Sequence, residues 1–126
     1  MTALPMWLRA ALYATAVMNV LVGLAFASGS ATLLAATGMP APVPAFYTLT
    51  VGMFVALFGI GYFAVARGDE PERLFLALAG SGKLCFVALV FSLFLAGSLP
   101  ARAALAAAAD LPFGLLFVGW VLTTRT

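Results

Sequence analysis

Lys83 and Asp110 are the only charged side chains deep within the long apolar stretches of this 126-residue chain. A charge at the centre of a bilayer costs roughly 2.5–3.5 kcal/mol on insertion scales, so such residues face a partner or a water-filled cavity and are candidates for handling a ligand or a proton. Their depths agree. Lys83 follows Glu72 by eleven residues, Asp110 precedes Thr123 by thirteen, and Asn19 is twelve residues past Trp7. At ~1.5 Å of rise per residue, all three lie ~16–20 Å from the same end of their helices. An ammonium, a carboxylate and an amide at one level can satisfy one another. Thr15, one helical turn from Asn19, extends this set toward that end, and Tyr62, about one turn inside the end of its helix, can turn its hydroxyl to headgroups or to the interior. Lys83, Asp110, Asn19, Thr15 and Tyr62 are therefore the candidate ligand-binding or proton-coupling residues. The alternative is a buried pair that only fixes how the helices register.

Composition dictates what must hold these residues. Hydrophobic residues make up 65% of the chain and charged residues 8%, with a mean hydropathy of +1.17, whereas soluble domains carry about 25% charged residues. The predicted class is an all-α polytopic membrane protein, with room for four spans of ~20 residues in one domain. Four apolar segments are expected, from about Met6 to Ala27, Pro44 to Ala66, Pro71 to Gly97 and Ala101 to Thr123. Asp69, Pro71 and Glu72 form a capping-box pattern that predicts the start of the third helix. Pro112, just after Asp110, removes one helical hydrogen bond and predicts a kink or a short break. Between the first two spans, Ser30 to Thr37 is predicted to form one or two helical turns at the membrane surface, and Pro40, Pro42 and Pro44 an extended return.

Arg9, Arg67, Arg73 and Arg125 fall on one side of the four-span arrangement and Arg102 on the other, which by the positive-inside rule predicts both termini in the cytoplasm. Trp7 and Trp120 lie near one face, as interfacial anchors do. Gly52, Ala56 and Gly59 form a small-residue stripe on the second helix that permits close helix approach. Several functions lose their usual residues. There is no histidine for haem or catalytic zinc, one cysteine, Cys85, and no polybasic stripe for nucleic acid, so no cofactor, metal or nucleic-acid partner is expected. Ser81 and Cys85 lack a histidine base, and no catalytic residue is assigned. Gly80 to Lys83 resembles the end of a P-loop, but Ala77, Leu84 and the absence of a preceding strand pattern depart from it. Asp69, Glu70 and Glu72 beside Arg67 and Arg73 read as a solvated helix-end surface rather than a metal site.

The runs Gly59 to Arg67, Pro71 to Arg73, Gly82 to Phe86 and Asp110 to Phe117, with Trp120, resemble a group of small bacterial four-helix membrane proteins over most of the chain, and size and architecture loosely resemble DoxX-type proteins. The resemblance implies a bacterial inner-membrane location and brings no activity. The first helix lacks the acidic residue of small multidrug exporters, carrying Asn19 instead, and the phenylalanine-rich signature of fluoride channels is missing. Two functions are expected from the residues. One is binding or transport of a small ligand or proton through the midplane cluster, and the other is a non-catalytic accessory or assembly subunit of a membrane complex. The expected partners are membrane lipid, a small-molecule or ion ligand, and a second copy or a membrane-complex partner.

Overall fold

The computed structural model describes residues 3–39 and 43–124. Every regular element among them is a helix: α1 (Met6–Ala27), α2 (Ala31–Ala36), α3 (Ala45–Arg67), α4 (Arg73–Leu95), α5 (Ala101–Ala108) and α6 (Leu111–Thr123). Four helical segments are long and apolar enough to cross a bilayer: α1, α3, α4, and α5 with α6 taken as one span. The chain is an all-α, four-span membrane protein. Its outer surface shows this, since Leu21, Phe46, Leu74, Leu89, Leu95 and Leu122 are all well exposed. In water such a surface would be an aggregation site, whereas in hydrocarbon it costs nothing and the helices satisfy their own backbone polar groups.

Small residues decide which helices touch. α1 lies along α3 and α4 along α6, with far less contact between the two pairs. At the α1/α3 crossing, a Cβ on Gly23 would lie 2.6 Å from the Ala56 backbone nitrogen, and one on Gly52 2.6 Å from the Gly23 carbonyl oxygen. Gly59 continues the contact against Val20 and Ala16. Backbones this close gain dispersion contacts that no larger residue would allow, which is how helices associate without a hydrophobic driving force. Gly80 and Gly114 serve the α4/α6 pair in the same way, a Cβ on Gly80 meeting the Phe117 Cβ at 3.0 Å. The predicted stripe of Gly52, Ala56 and Gly59 thus faces α1.

The packed core is concentrated at the end of the bundle that carries the α3/α4 turn. Leu8, Leu12, Ala16, Tyr62, Leu76 and Phe117 belong to one cluster there, while a smaller one of Val90, Ala103 and Ala107 lies at the other end. Arginines close three helix ends. The Arg9 guanidinium donates to the carbonyls of Ala66 and Gly68, at the end of α3. Arg73 donates to Val121 O at 2.7 Å and Thr124 O at 2.9 Å, ending α6, and lies 5.4 Å from the centre of the Trp120 ring. Arg102 Nε donates to Ala35 O at 2.9 Å, tying α2 to α5. The last carbonyls of a helix have no partner within it, and a guanidinium supplies both donors and a charge opposite to the helix dipole.

Three features differ from the sequence expectation. α4 begins at Arg73, and Glu72 is its N-cap residue with no side-chain cap hydrogen bond. The capping box does not form because the chain is still non-helical at Pro71 and Glu72, which leaves Asp69 three residues before the N-cap position from which its side chain could cap. α4 ends at Leu95, where Gly97 takes the left-handed conformation (φ +83°) and Ser98 N donates to Leu93 O at 2.8 Å, a glycine-terminated helix end. Trp120 is buried under Arg73 instead of anchoring in the interface, while Trp7 is half exposed. Of the kink or short break expected at Pro112, the structure has the break: Ala109 and Asp110 donate to Ala106 and Ala107 three residues back, and Pro112 enters α6 with no N–H to give. The surface helix between the first spans is α2, capped by Ser30, whose hydroxyl accepts from Leu33 N at 3.3 Å. Pro40 and Pro42 lie outside the described residues, and Pro44 is the N-cap residue of α3.

Candidate functional site

Just beyond the main core cluster, α1, α4 and the α5/α6 break bring three polar side chains together. Lys83 is 7% exposed, and its Nζ lies 2.5 Å from Asp110 Oδ1. The same ammonium donates to Asn19 Oδ1 at 3.1 Å, and Asn19 Nδ2 reaches Val55 O at 3.3 Å. This orientation of the amide is the one that gives its oxygen a donor and its nitrogen an acceptor. Two aromatic faces complete the surroundings of the cation, with Nζ 5.3 Å from the centre of the Tyr62 ring and 5.8 Å from that of Phe113. Ring quadrupoles attract a desolvated ammonium, so the positive charge is compensated on four sides.

Local structure explains why each group is there. Lys83 follows Ala79 and Gly80 at helical spacing, on the face that α4 turns inward. Asp110 stands at the break, as the N-cap residue of α6. Its side chain makes no cap hydrogen bond to α6, and its carboxylate is directed to the ammonium instead. Asn19 crosses from the α1/α3 pair to Lys83 on α4, one of the few polar links between the two pairs.

The cluster forms part of the wall of a cavity of about 560 Å³. Most of that wall is apolar, and it continues to Met39 and Tyr47 on the side of the α1/α3 connection. Hydrogen-bonding capacity is left over on the wall. An ammonium has three N–H groups, of which two are used, and among the described residues neither the second oxygen of Asp110 nor the Tyr62 hydroxyl has a hydrogen-bond partner. A few polar groups converging in a mostly apolar cavity of this size make a typical small-molecule site.

Of the five residues singled out in the sequence, Lys83, Asp110 and Asn19 are joined directly, and Tyr62 turns its ring inward beneath the ammonium. Thr15 does not join them. It is fully buried and its hydroxyl has no hydrogen-bond partner. Phe113, Gly82 and the Val55 carbonyl belong to the site and were not singled out. Phe113 had a signal, since it lies three residues from Asp110 and so on the same helical face. A backbone carbonyl has no signal in the side-chain pattern. Asp69, Glu70 and Glu72 are exposed, and among the described residues no three His, Cys, Asp or Glu side chains are placed to hold a metal ion. No family model, curated protein or solved structure matches this chain.

Proposed function

We propose that this membrane protein binds a small ligand or a proton at the Lys83, Asp110 and Asn19 cluster, with Lys83 and Asp110 exchanging partners as the ligand arrives and leaves. One observation carries the reading: the ion pair stands on a cavity wall with donors and an acceptor unfilled. A pair that served only to hold helices together would gain by filling every lone pair and N–H and by excluding the space beside it. The proposed setting is a bacterial inner membrane with both termini in the cytoplasm, because Arg9, Arg67 and Arg73 share one end of the bundle and Arg102 lies at the other. A cysteine placed at Ser30, in a Cys85→Ala background, is then expected to react with an impermeant maleimide in intact cells. Reaction only after permeabilisation would invert the topology.

The second reading, an accessory subunit of a membrane complex, is favoured by the Lys83 to Asn19 hydrogen bond, which links two helix pairs that otherwise touch little. Native mass spectrometry of the protein released from its host membrane separates the two. Ligand binding predicts a small-molecule adduct on the wild type that is lost in Asp110→Asn, a change that keeps the shape and deletes the charge. For a proton, an internal pH dye in liposomes replaces the adduct as readout. A wild type with no adduct and no pH response, together with full complementation of a deletion strain by Asp110→Asn, leaves the accessory reading standing.

A further inference from the structure

The cavity beside Lys83 has an unusual boundary. Near the α3/α4 turn it is closed: Phe75 stacks on Phe58 at 6.1 Å between ring centres and meets Tyr62 edge-on at 5.4 Å, with Phe117 behind Tyr62 at 5.8 Å. Past Phe75 the backbones of α3 and α4 hardly approach each other, although the two helices are consecutive. The cavity wall there is made of side chains that are also on the outer surface. Phe54 and Phe58 of α3 and Leu78 and Phe86 of α4 line it, and they are between 40% and 64% exposed. Gly82, between Leu78 and Phe86 on the same edge of α4, puts nothing in the gap, since a Cβ there would meet no atom within 4 Å. All of these residues lie within the membrane-crossing lengths of α3 and α4. The opening therefore faces hydrocarbon.

Depth and charge restrict what could fill it. A phospholipid keeps its headgroup at the interface, about 15 Å from the midplane of a ~30 Å core, and cannot bring it to Lys83. The Lys83 and Asp110 charges already cancel, so a ligand with a charge of its own would leave one buried and uncompensated. The unfilled groups are donors, on Lys83 and Tyr62, and an acceptor, on Asp110, and a hydroxyl uses both kinds at once. We infer that the ligand of this site is a lipid alcohol, an apolar body with one neutral hydroxyl, that enters sideways from the bilayer through the cleft between α3 and α4 and sets its hydroxyl against Lys83 and Asp110. The inference rests on the ligand-binding reading above and gives that ligand a chemical class and a route.

Farnesol and farnesene test it, because they share the branched sesquiterpene skeleton and farnesene, which has one more double bond, lacks the hydroxyl. The protein is placed in phosphatidylcholine nanodiscs and its Tm followed against each compound; a ligand at free concentration c that binds only the folded state raises stability as RT ln(1 + c/Kd), so the tighter ligand shifts Tm more at equal concentration. Farnesol is expected to bind at least about tenfold more tightly than farnesene, the effect of one hydrogen bond to a charged group. Gly82→Leu, whose Cβ meets no atom within 4 Å and whose longer side chain extends into the cleft, is expected to abolish the farnesol shift. The double variant Lys83→Met with Asp110→Leu is expected to bind both compounds alike. Equal binding of the two by the wild type overturns the inference, as does a Gly82→Leu protein that responds to farnesol like wild type. A Gly82→Leu change that instead dissociates an oligomer, with no farnesol shift in the wild type, would assign the cleft to a second copy of the chain. If farnesol fails but a soluble zwitterion such as glycine raises the Tm of the wild type and not of Asp110→Asn, the cluster still binds a ligand and only the lipid-alcohol assignment falls. If neither compound acts and no native adduct is found, the ligand-binding reading falls with it.

Discussion

Lys83→Met is expected to lower folding stability by about 3–5 kcal/mol and Asp110→Leu by a similar amount, while the double variant loses far less than the sum. The pair is short, 2.5 Å between Nζ and Oδ1, and its two side chains are 6% and 20% exposed. Removing the lysine leaves a carboxylate with no cation beside it at the depth where lipid offers no water. Removing the carboxylate leaves an ammonium held by one amide oxygen and two ring faces, which is less than a charge needs there. With both gone, Met and Leu occupy the same space as apolar groups and no desolvated charge remains. Reversible unfolding in mixed detergent and SDS micelles, on wild type, both single variants and the double, gives the coupling free energy directly. Losses that simply add would mean that Lys83 and Asp110 do not depend on each other. Asn19→Leu belongs in the same series and is expected to cost less, about 0.6–1.7 kcal/mol, the range of single interhelical hydrogen bonds in membranes.

The meeting of Lys83, Asp110 and Asn19 is legible from residue counting because a membrane supplies an external ruler. Each span starts at a marked boundary and rises ~1.5 Å per residue, so depth follows from position alone. Rotation about the helix axis does not. In a soluble bundle the apolar stripe tells which face is inside, but lipid is as apolar as a core, and α1, α3, α4 and α6 are apolar all round. Thr15 illustrates the loss: it has the correct depth and spacing to extend the cluster, yet the structure buries it with its hydroxyl unpaired. Tyr62 had two directions open to it, and only the packing of Phe75 and Phe117 on its ring selects the inward one.

The cavity was less legible still. It exists because the glycines are unevenly placed, with Gly23 and Gly52 drawing α1 onto α3, Gly80 and Gly114 drawing α4 onto α6, and between α3 and α4 only Gly61, which admits the Phe75 ring near the turn that joins them and brings no backbone close. A stripe of small residues announces close contact without naming the partner helix. The capping-box pattern at Asp69 and Glu72 failed for a related reason. It describes a local preference worth about 1 kcal/mol, and α4 begins at Arg73, too far along the chain for the Asp69 side chain to stand at its N-cap. Arginine had a second use that counting charges does not show, since Arg9, Arg73 and Arg102 each end another helix in addition to setting orientation.

Gly52→Ala is expected to destabilise the protein by about 1–3 kcal/mol, and Gly52→Leu by more, because neither can be accommodated without separating α1 from α3. A Cβ at this position would lie 2.6 Å from the Gly23 carbonyl oxygen and 2.7 Å from the Ala27 backbone nitrogen, and both neighbours are backbone. Flexible side chains could turn aside; a helix backbone cannot. Separation at this crossing would also pull Asn19 away from Lys83, so the loss should extend to the polar cluster, since Asn19 lies one turn from Gly23. Gly119→Ala provides the opposite case on α6, where a Cβ meets nothing within 4 Å. There the gain in helix propensity acts alone, and stability is expected to rise by up to about 1 kcal/mol. Gly23→Ala and Gly52→Ala together should cost less than the sum of the two, since the first substitution already opens the crossing that the second needs. Unfolding midpoints of Gly52→Ala, Gly52→Leu, Gly23→Ala, Gly119→Ala and the double variant in one detergent decide the matter: equal small effects at Gly52 and Gly119 would show that backbone approach at the α1/α3 crossing is not what holds the helices together.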